Sequence, residues 1–172
     1  RTLMSLIKDI NTMSNNPMAR TLFLNLSVGS NNQASINRSR EVIDEWLTKR
    51  NFVFPELVIH NGSGLSREVR ISADSLTYLL MDALADTDSF DWLNTLPRVG
   101  MEGTVSQRFR NKSVIGNAWL KTGSLKGVQA YSGYVKTARK NWFAVTIFIN
   151  SSYAEKAKQI MDNLVEWVYL KH

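Results

Sequence analysis

Four consecutive residues in the last third of the chain combine groups that could hold a carboxylate beside a reacting carbonyl. Lys121 carries an ammonium group, Thr122 and Ser124 carry hydroxyls, and Gly123 leaves the backbone without a Cβ. They continue the run 117–120, and together the residues have the composition of a strand that ends at the glycine. An ammonium group and two hydroxyls at a strand edge are suited to a terminal carboxylate that lies next to a reacting carbonyl. We therefore expect a site for a ligand with these two groups at this edge.

A second group of candidate residues lies far upstream and consists of Ser14, Asn15 and Asn16. It falls at a break between two predicted helices, where a hydroxyl and an amide can face a cleft. A hydroxyl there can pass a proton to or from a reacting centre, and an amide can orient a substrate. The alternative interpretation is that Asn16, directly before Pro17, is an ordinary N-cap of the second helix.

Composition limits the class of protein that this chain can be. Its 172 residues are enough for one domain or most of one, and a hydrophobic content of 44% is typical of a globular chain. The absence of cysteine excludes a disulfide scaffold, a thiolate metal site and a cysteine nucleophile. The net charge of +6 comes from scattered residues, which favours a solvated basic face over a dedicated site for nucleic acid, an anionic membrane or an acidic glycan. No apolar run approaches the roughly 18 residues of a membrane-spanning helix.

The periodicity of the apolar residues predicts helices in the first part of the chain and strands in the last third. Helical spacing covers about 3–14, 17–26, 35–50, 72–85, 90–96 and 153–170. Strand patterns cover 118–122, 129–136 and 142–149. Because the connections between the strands are short, we expect an antiparallel meander.

Four motifs in this order resemble the type-4 penicillin-binding proteins, the class C D-Ala-D-Ala carboxypeptidases and endopeptidases. They are Ser14–Ala19, Asn61–Arg67, Gly100–Thr104 and Leu120–Leu125. The resemblance runs from Leu3 to the final helix. It implies an α+β fold of the transpeptidase/serine β-lactamase group, with an antiparallel sheet flanked by helices. It also implies that residues 1–172 are the C-terminal portion of such a domain, with the nucleophile segment and inserted domains further upstream.

The same resemblance implies catalytic roles for Ser14, Asn16 and Lys121, which match the second and third motifs of the family. Ser14 would move a proton, and Asn16 would orient the substrate and the catalytic lysine. The substrate would be the stem peptide of peptidoglycan, and β-lactams would bind as its mimics. The resemblance implies no metal, no organic cofactor and no nucleic-acid partner, and it places the protein in the periplasm.

Substrate binding is implied for Thr122, Gly123 and Ser124. The two hydroxyls, with the ammonium group of Lys121, would hold the terminal carboxylate of the peptide. Gly123 would let the substrate backbone lie against the strand edge as an added strand. The backbone N–H of Ser124 would be one oxyanion-hole donor, a contribution of about 3 kcal/mol in comparable sites.

The family's first motif, S-x-x-K, has one match in this chain, at Ser5-Leu6-Ile7-Lys8. On a helix, Ser5 would lie about 13 Å from Ser14 along the axis. A nucleophile needs to lie within about 3 Å of its hydrogen-bonding partners. We therefore interpret Ser5 and Lys8 as the polar side of the first helix, and we expect the nucleophile outside this chain and the chain alone to be inactive.

Two further segments have competing interpretations. Pro55-Glu56-Leu57 resembles the segment in which class A β-lactamases keep a deacylating glutamate, but Phe54 and Val58 do not fit that pattern. The glycine turn 61–66 is interpreted as support for the floor of the cleft, with direct substrate contact as the alternative.

The competing function is a non-catalytic module that keeps the fold and binds peptidoglycan or another protein. An S-x-x-K motif followed by a long insertion upstream of this chain would favour the enzyme, and its absence would favour the binding module.

Overall fold

The computed structural model describes residues 1–29, 33–86 and 88–171. These residues form two compact units, each described by itself below. The first unit contains Arg1–Ser14 and the chain from Ala73 onward, and the second contains Asn15–Ser72. None of the helices in the described part of the chain is long and apolar enough to cross a membrane.

Six α-helices and three strands are present in the described residues. The helices are α1 (Leu3–Met13), α2 (Asn16–Asn25), α3 (Ile36–Lys49), α4 (Ala73–Ala85), α5 (Ser89–Thr95) and α6 (Lys158–Lys171). The strands are β1 (Ala118–Leu125), β2 (Val128–Lys136) and β3 (Trp142–Asn150), and short 3-10 helices cover Gly103–Val105 and Ala154–Ala157. The last predicted helix is thus divided, because its first turn is wound as a 3-10 helix, as is common at helix ends.

The three strands form an antiparallel sheet in the order β1-β2-β3, which confirms the predicted meander. The turn between β1 and β2 has only two residues, Lys126 and Gly127, and pairs Leu125 with Val128. This tight turn sets the register of the whole hairpin. The prediction that β1 ends at Gly123 was wrong, because Gly123 and Ser124 continue the ladder opposite Ala130 and Gln129.

Helices cover the two faces of the sheet, each through its own apolar cluster. One cluster joins the sheet to α6 and contains Leu120, Tyr131, Val135, Met161 and Val165, all at most 1% exposed. The other joins the sheet to α4 and α5 and contains Leu80, Leu93, Leu96 and Tyr134. Burial of each such side chain contributes about 1.5–3 kcal/mol, so the two clusters hold β1 in a rigid layer.

One buried hydroxyl connects β2 to the helices on the second face. Tyr134 donates a hydrogen bond to the carbonyl oxygen of Leu80 on α4 at 2.6 Å, and it accepts one from Nε1 of Trp92 on α5 at 2.9 Å. The hydroxyl is therefore satisfied on both sides, as burial requires.

The second unit is built from α2, α3 and the irregular segment that follows them. Arg40 on α3 donates hydrogen bonds to the carbonyl oxygens of Ile59 at 2.6 Å and His60 at 3.0 Å, which fixes that segment on the helix. The N-cap of α2 is Asn15 and not Asn16. Oδ1 of Asn15 accepts the backbone N–H of Met18 at 3.1 Å, and Asn16 is the first residue of the helix.

Gly133 provides a test of how closely β1 and β2 approach. Its φ is +152°, and a Cβ at this position would collide with the carbonyl oxygen of Trp119. We predict that Gly133→Ala lowers the free energy of unfolding by about 1–3 kcal/mol, because the backbones of β1 and β2 must move apart. Urea unfolding of the chain measures this change.

The matched control is Gly123→Ala on the neighbouring strand. A Cβ there would meet the Cβ of Ala130 at 3.5 Å, an ordinary contact. Equal stabilities of the two variants would contradict the close approach at Gly133.

Candidate active site

The predicted site residues Lys121 and Ser14 meet in the structure. Nζ of Lys121 donates a hydrogen bond to Oγ of Ser14 at 2.7 Å and another to the carbonyl oxygen of Thr122 at 2.8 Å. Because Ser14 accepts this hydrogen bond, its own O–H is left to donate in another direction. A hydroxyl that is polarised by an ammonium group and can donate is suited to proton transfer.

The backbone of Ser14 has a conformation that serine seldom adopts. Ser14 is the C-cap of α1, with φ 51° and ψ 46°, and its N–H donates to the carbonyl oxygen of Ile10. The left-handed region is usually occupied by glycine or asparagine at helix ends, and other residues are less stable there by roughly 1–2 kcal/mol. The conformation turns the chain at Ser14 and directs its hydroxyl to β1.

Burial lowers the pKa of Lys121. The cause is desolvation, which disfavours the charged form of a lysine that is removed from water. Its hydrogen bonds to two oxygens act in the opposite sense, since they favour the ammonium form. The result is a lysine that gives up its proton more readily than an exposed one.

Beside Lys121, β1 has an open edge in the described part of the chain. At the start of β1, residues 97–99 occupy this edge, and the N–H of Leu120 donates to the carbonyl oxygen of Pro97 at 3.0 Å. Past Leu120 no strand of residues 1–29, 33–86 and 88–171 lies on the edge. Because N–H groups alternate in direction along a strand, those of Thr122 and Ser124 point to the same side as that of Leu120. An extended peptide could therefore pair with β1 here.

The hydroxyl of Ser124 is oriented by a side chain that the sequence interpretation missed. Nε2 of Gln129 donates to Oγ of Ser124 at 2.6 Å, and Gln129 is only 1% exposed. The two residues are direct partners across the β1-β2 hairpin. The two-residue turn at Lys126 and Gly127 was the signal that could have identified Gln129, since it dictates this pairing.

A second missed contact comes from the glycine-rich motif between α5 and β1. The hydroxyls of Thr104 and Thr122 lie 3.1 Å apart, a distance at which one donates to the other. Thr104 belongs to the motif Gly100–Thr104, but its side chain was not among the predicted site residues. This contact restricts the rotation of the Thr122 hydroxyl.

The same motif connects α1 to β1. Gly103 has φ +53°, and a Cβ there would collide with the carbonyl oxygen of Thr12, so the motif lies directly against the end of α1. The carboxylate of Glu102 accepts from Nζ of Lys8 at 3.3 Å and from the backbone N–H of Arg98 at 3.2 Å. These contacts fix the end of α1, and with it Ser14, relative to the strand.

Asn16 and the turn 61–66 belong to the second unit. Asn16 is the first residue of α2, directly after its N-cap. In the turn, Oδ1 of Asn61 accepts the backbone N–H of Ser63 at 3.0 Å and its hydroxyl at 2.9 Å. Glu56 accepts the N–H of Ser72 at 3.0 Å within the same unit. These contacts hold the turn 61–66 and the segment around Glu56 in their local conformations.

The serine and the lysine of the S-x-x-K match both make structural contacts of α1. The hydroxyl of Ser5 donates to the carbonyl oxygen of Thr2 at 2.9 Å, and Lys8 forms the exposed ion pair with Glu102. Among the described residues, no cluster of three or more histidine, cysteine, aspartate or glutamate side chains could hold a metal ion.

A titration of Lys121 tests the contact with Ser14. We predict that the Lys121 ammonium titrates below the ordinary lysine value of about 10.4, and that Ser14→Ala lowers its pKa further. The reason is that the variant removes an acceptor that favours the charged form. The measurement is an NMR pH titration of the Cε–Hε signals of isotope-labelled lysines. Ser5→Ala is the control, and an equal pKa in wild type and Ser14→Ala would show that the contact is not formed.

Comparison with known proteins places this chain in a family. Residues 1–170 match the D-Ala-D-Ala carboxypeptidase 3 (S13) family. The D-alanyl-D-alanine carboxypeptidase DacB of Haemophilus influenzae is 29% identical over 151 residues, which cover 86% of this chain and 32% of that protein. A D-alanyl-D-alanine carboxypeptidase of Actinomadura sp. is 38% identical over 84 residues, 46% of this chain and 16% of that protein. The chain thus spans about a third or less of the length of these relatives.

Solved structures show the same fold. Penicillin binding protein 4 (dacB) from Haemophilus influenzae, complexed with a β-lactam, matches with a TM-score of 0.87 and 26% identity, over 96% of this chain and 41% of that one. An extended-spectrum β-lactamase shares the fold alone, with a TM-score of 0.67 and 16% identity over 98% of this chain and 63% of that one. The predicted α+β fold of the transpeptidase/serine β-lactamase group is confirmed. The chain belongs to the D-Ala-D-Ala carboxypeptidase 3 (S13) family of penicillin-binding proteins.

Proposed function

We propose that this chain is the substrate-holding portion of a serine-type D-Ala-D-Ala carboxypeptidase/endopeptidase that acts on peptidoglycan stem peptides and is acylated by β-lactams. The observation that carries the proposal is the 2.7 Å contact between Nζ of Lys121 and Oγ of Ser14 beside the open edge of β1. Family membership supports the peptidase class. The crystal structure of the related penicillin binding protein 4 in complex with a β-lactam supports the proposed acylation. The proposed location is the periplasm, where that substrate lies.

Binding would begin with the terminal carboxylate of the peptide. The ammonium group of Lys121 supplies the charge, and the hydroxyls of Thr122 and Ser124 supply directed donors. Charged hydrogen bonds of this kind are about twice as strong as neutral ones. Gln129 and Thr104 hold the two hydroxyls in place before the ligand arrives, so less conformational entropy is lost on binding.

The substrate backbone would pair with the edge of β1 next to its bound carboxylate. Gly123 is exposed and has no side chain to separate the two backbones. The N–H of Ser124 points to that edge and would stabilise the oxyanion that forms when the scissile carbonyl is attacked. Preorganised donors of this type contribute about 3 kcal/mol to transition-state stabilisation.

Proton transfer is the proposed role of Ser14. When a serine nucleophile gives its proton to the base of its own upstream motif and adds to the carbonyl carbon, the C–N bond breaks and the departing amine of D-alanine needs a proton. The Ser14 hydroxyl would donate that proton and would recover one from the protonated base, while the Lys121 ammonium group holds the Ser14 oxygen in place. Water would then attack the acyl-enzyme ester, passing one proton back to the serine oxygen through the same base, and the shortened peptide would leave. Asn16 would orient the substrate and Lys121, as the match to the second motif implies.

The nucleophile is proposed to lie in a segment upstream of these residues, in a longer protein of which 1–172 is the C-terminal portion. Ser5 is hydrogen bonded within the first turn of α1, and Lys8 is paired with Glu102 at an exposed position. Neither interaction provides the buried base that a serine nucleophile requires.

Labelled penicillin tests two proposals together: the carboxylate clamp, which is the binding of the ligand carboxylate by Lys121, Thr122 and Ser124, and the position of the nucleophile. In the protein that includes the upstream segment, Lys121→Ala is predicted to slow acylation about tenfold to a hundredfold, because a charge-assisted hydrogen bond to the carboxylate is lost. Ser5→Ala, the control, is predicted to be acylated at the wild-type rate. The 172-residue chain alone is predicted to form no covalent adduct.

Each part of this experiment has a contradicting outcome. Unchanged acylation of Lys121→Ala would contradict the carboxylate clamp. A stable adduct on the isolated chain that disappears in Ser5→Ala would identify Ser5 as the nucleophile.

The contact between Thr104 and Thr122 gives a second prediction. Thr104→Val keeps the shape of the side chain but removes the hydroxyl, and we expect about fivefold weaker binding of acetyl-D-Ala-D-Ala, the effect of about 1 kcal/mol. Thr104→Ser should bind like wild type because it keeps the hydroxyl. Calorimetric titration measures the affinities. Equal affinities of Thr104→Val and wild type, with weaker binding by Thr122→Val, would contradict an orienting role for Thr104.

A further inference from the structure

A second cleft lies in the first unit, among α1, α5 and the ends of the strands that are remote from Ser124. Its volume is about 410 Å³. This size is sufficient for a small ligand, since such pockets commonly measure about 300–1,000 Å³. Neither Ser14 nor Lys121 lines this cleft. It is therefore distinct from the acyl-transfer site.

The cleft carries an excess of positive charge. Arg98, Lys136 and Lys140 line it, and none of them has a carboxylate within ion-pair distance among the described residues. Glu102 is the one acidic residue of the lining, and its two oxygens are already bound to Nζ of Lys8 and the backbone N–H of Arg98. Three cations therefore face the cleft without a matching anion. Charges of one sign that line the same cleft favour an anionic ligand.

Aromatic rings hold two of these cations in position. The guanidinium of Arg98 lies 5.1 Å from the ring centroid of Trp119, and Nζ of Lys136 lies 5.4 Å from that of Trp142. The two indoles pack together with centroids 5.1 Å apart. Nε of Arg98 also donates to the carbonyl oxygen of Gly116 at 2.6 Å. Such contacts order the cations before a ligand binds, which lowers the entropic cost of binding.

The remaining lining offers surfaces for an uncharged part of the ligand. Trp142 is 36% exposed and Phe90 is 73% exposed, so part of the apolar surface of each side chain is open to solvent. Asn94 and Asn117 add amide groups, which can both donate and accept. Exposed aromatic faces suit the C–H face of a sugar ring, amides suit its hydroxyl and acetamido groups, and the cations suit an acidic substituent.

We propose that this cleft is a binding site for an acidic saccharide, a sugar ring that carries a carboxylate. The ring packs against Trp142 and Phe90, and the carboxylate binds among Arg98, Lys136 and Lys140. The proposal goes beyond the acyl-transfer function, because it adds a second recognition site on the same unit. It does not depend on that function, since the two sites share no proposed ligand contacts.

The test compares two sugars that differ by one acidic group. N-acetylmuramic acid carries a lactyl ether that ends in a carboxylate, and N-acetylglucosamine is the same ring with a free hydroxyl in its place. Each is titrated into the whole chain, and the indole N–H signals of its five tryptophans are followed by NMR. Tryptophan-to-phenylalanine variants assign the signals. We expect N-acetylmuramic acid to shift the Trp119 and Trp142 signals, with no comparable shift for Trp46 and Trp167, and N-acetylglucosamine to bind at least about tenfold more weakly.

Charge-removing variants complete the experiment. Lys136→Gln combined with Lys140→Gln is expected to weaken the binding of N-acetylmuramic acid about tenfold, and Lys126→Gln, on the β1-β2 turn, is the matched control. Equal shifts with both sugars would overturn the role of the cations. Inorganic phosphate that shifts the two signals as strongly as the acidic sugar would overturn the saccharide assignment. Absence of any shift at Trp119 and Trp142 would overturn the site itself, and it would leave the acyl-transfer site untouched.

Discussion

The candidate acyl-transfer site depends on one short contact, between the ammonium group of Lys121 and the hydroxyl of Ser14. The two groups come from different elements, a strand and the end of a helix, which are far apart in sequence. A hydrogen bond of 2.7 Å tolerates little displacement, so both elements must be held with sub-ångström precision. Much of the first unit can be understood as the structure that meets this requirement.

Two sets of contacts hold the partners in place. Apolar clusters on both faces of the sheet fix β1, and the close approach of Gly133 to Trp119 fixes it relative to β2. On the helix side, the motif Gly100–Thr104 packs against Thr12 and reaches Thr122, so it joins the end of α1 to the strand. The left-handed turn at Ser14 then directs the hydroxyl to Lys121. Gly103 of the motif is required because a Cβ there would collide with the backbone of Thr12 at the end of α1.

Periodicity predicted the helices and strands well, because most of them bury one regular face. The same local patterns could not reveal contacts that arise from three-dimensional register. Gln129 orients Ser124 only because a two-residue turn pairs them, and Thr104 reaches Thr122 only because its loop folds back on β1. The predicted N-cap of α2, Asn16, was wrong by one residue, because Asn15 and Asn16 are chemically identical and only the backbone geometry distinguishes them. Motif order was the stronger guide to the family, as the match to the S13 family shows.

The central claim is that Lys121 and its neighbouring hydroxyls bind the carboxylate of a D-alanyl peptide. A crystal structure of the protein with acetyl-D-Ala-D-Ala tests it most directly. The proposed function predicts the terminal carboxylate within about 3 Å of the hydroxyls of Thr122 and Ser124, and the peptide backbone paired with the edge of β1. A peptide bound elsewhere, with this edge of β1 and the Lys121 ammonium group free of the carboxylate, would contradict it.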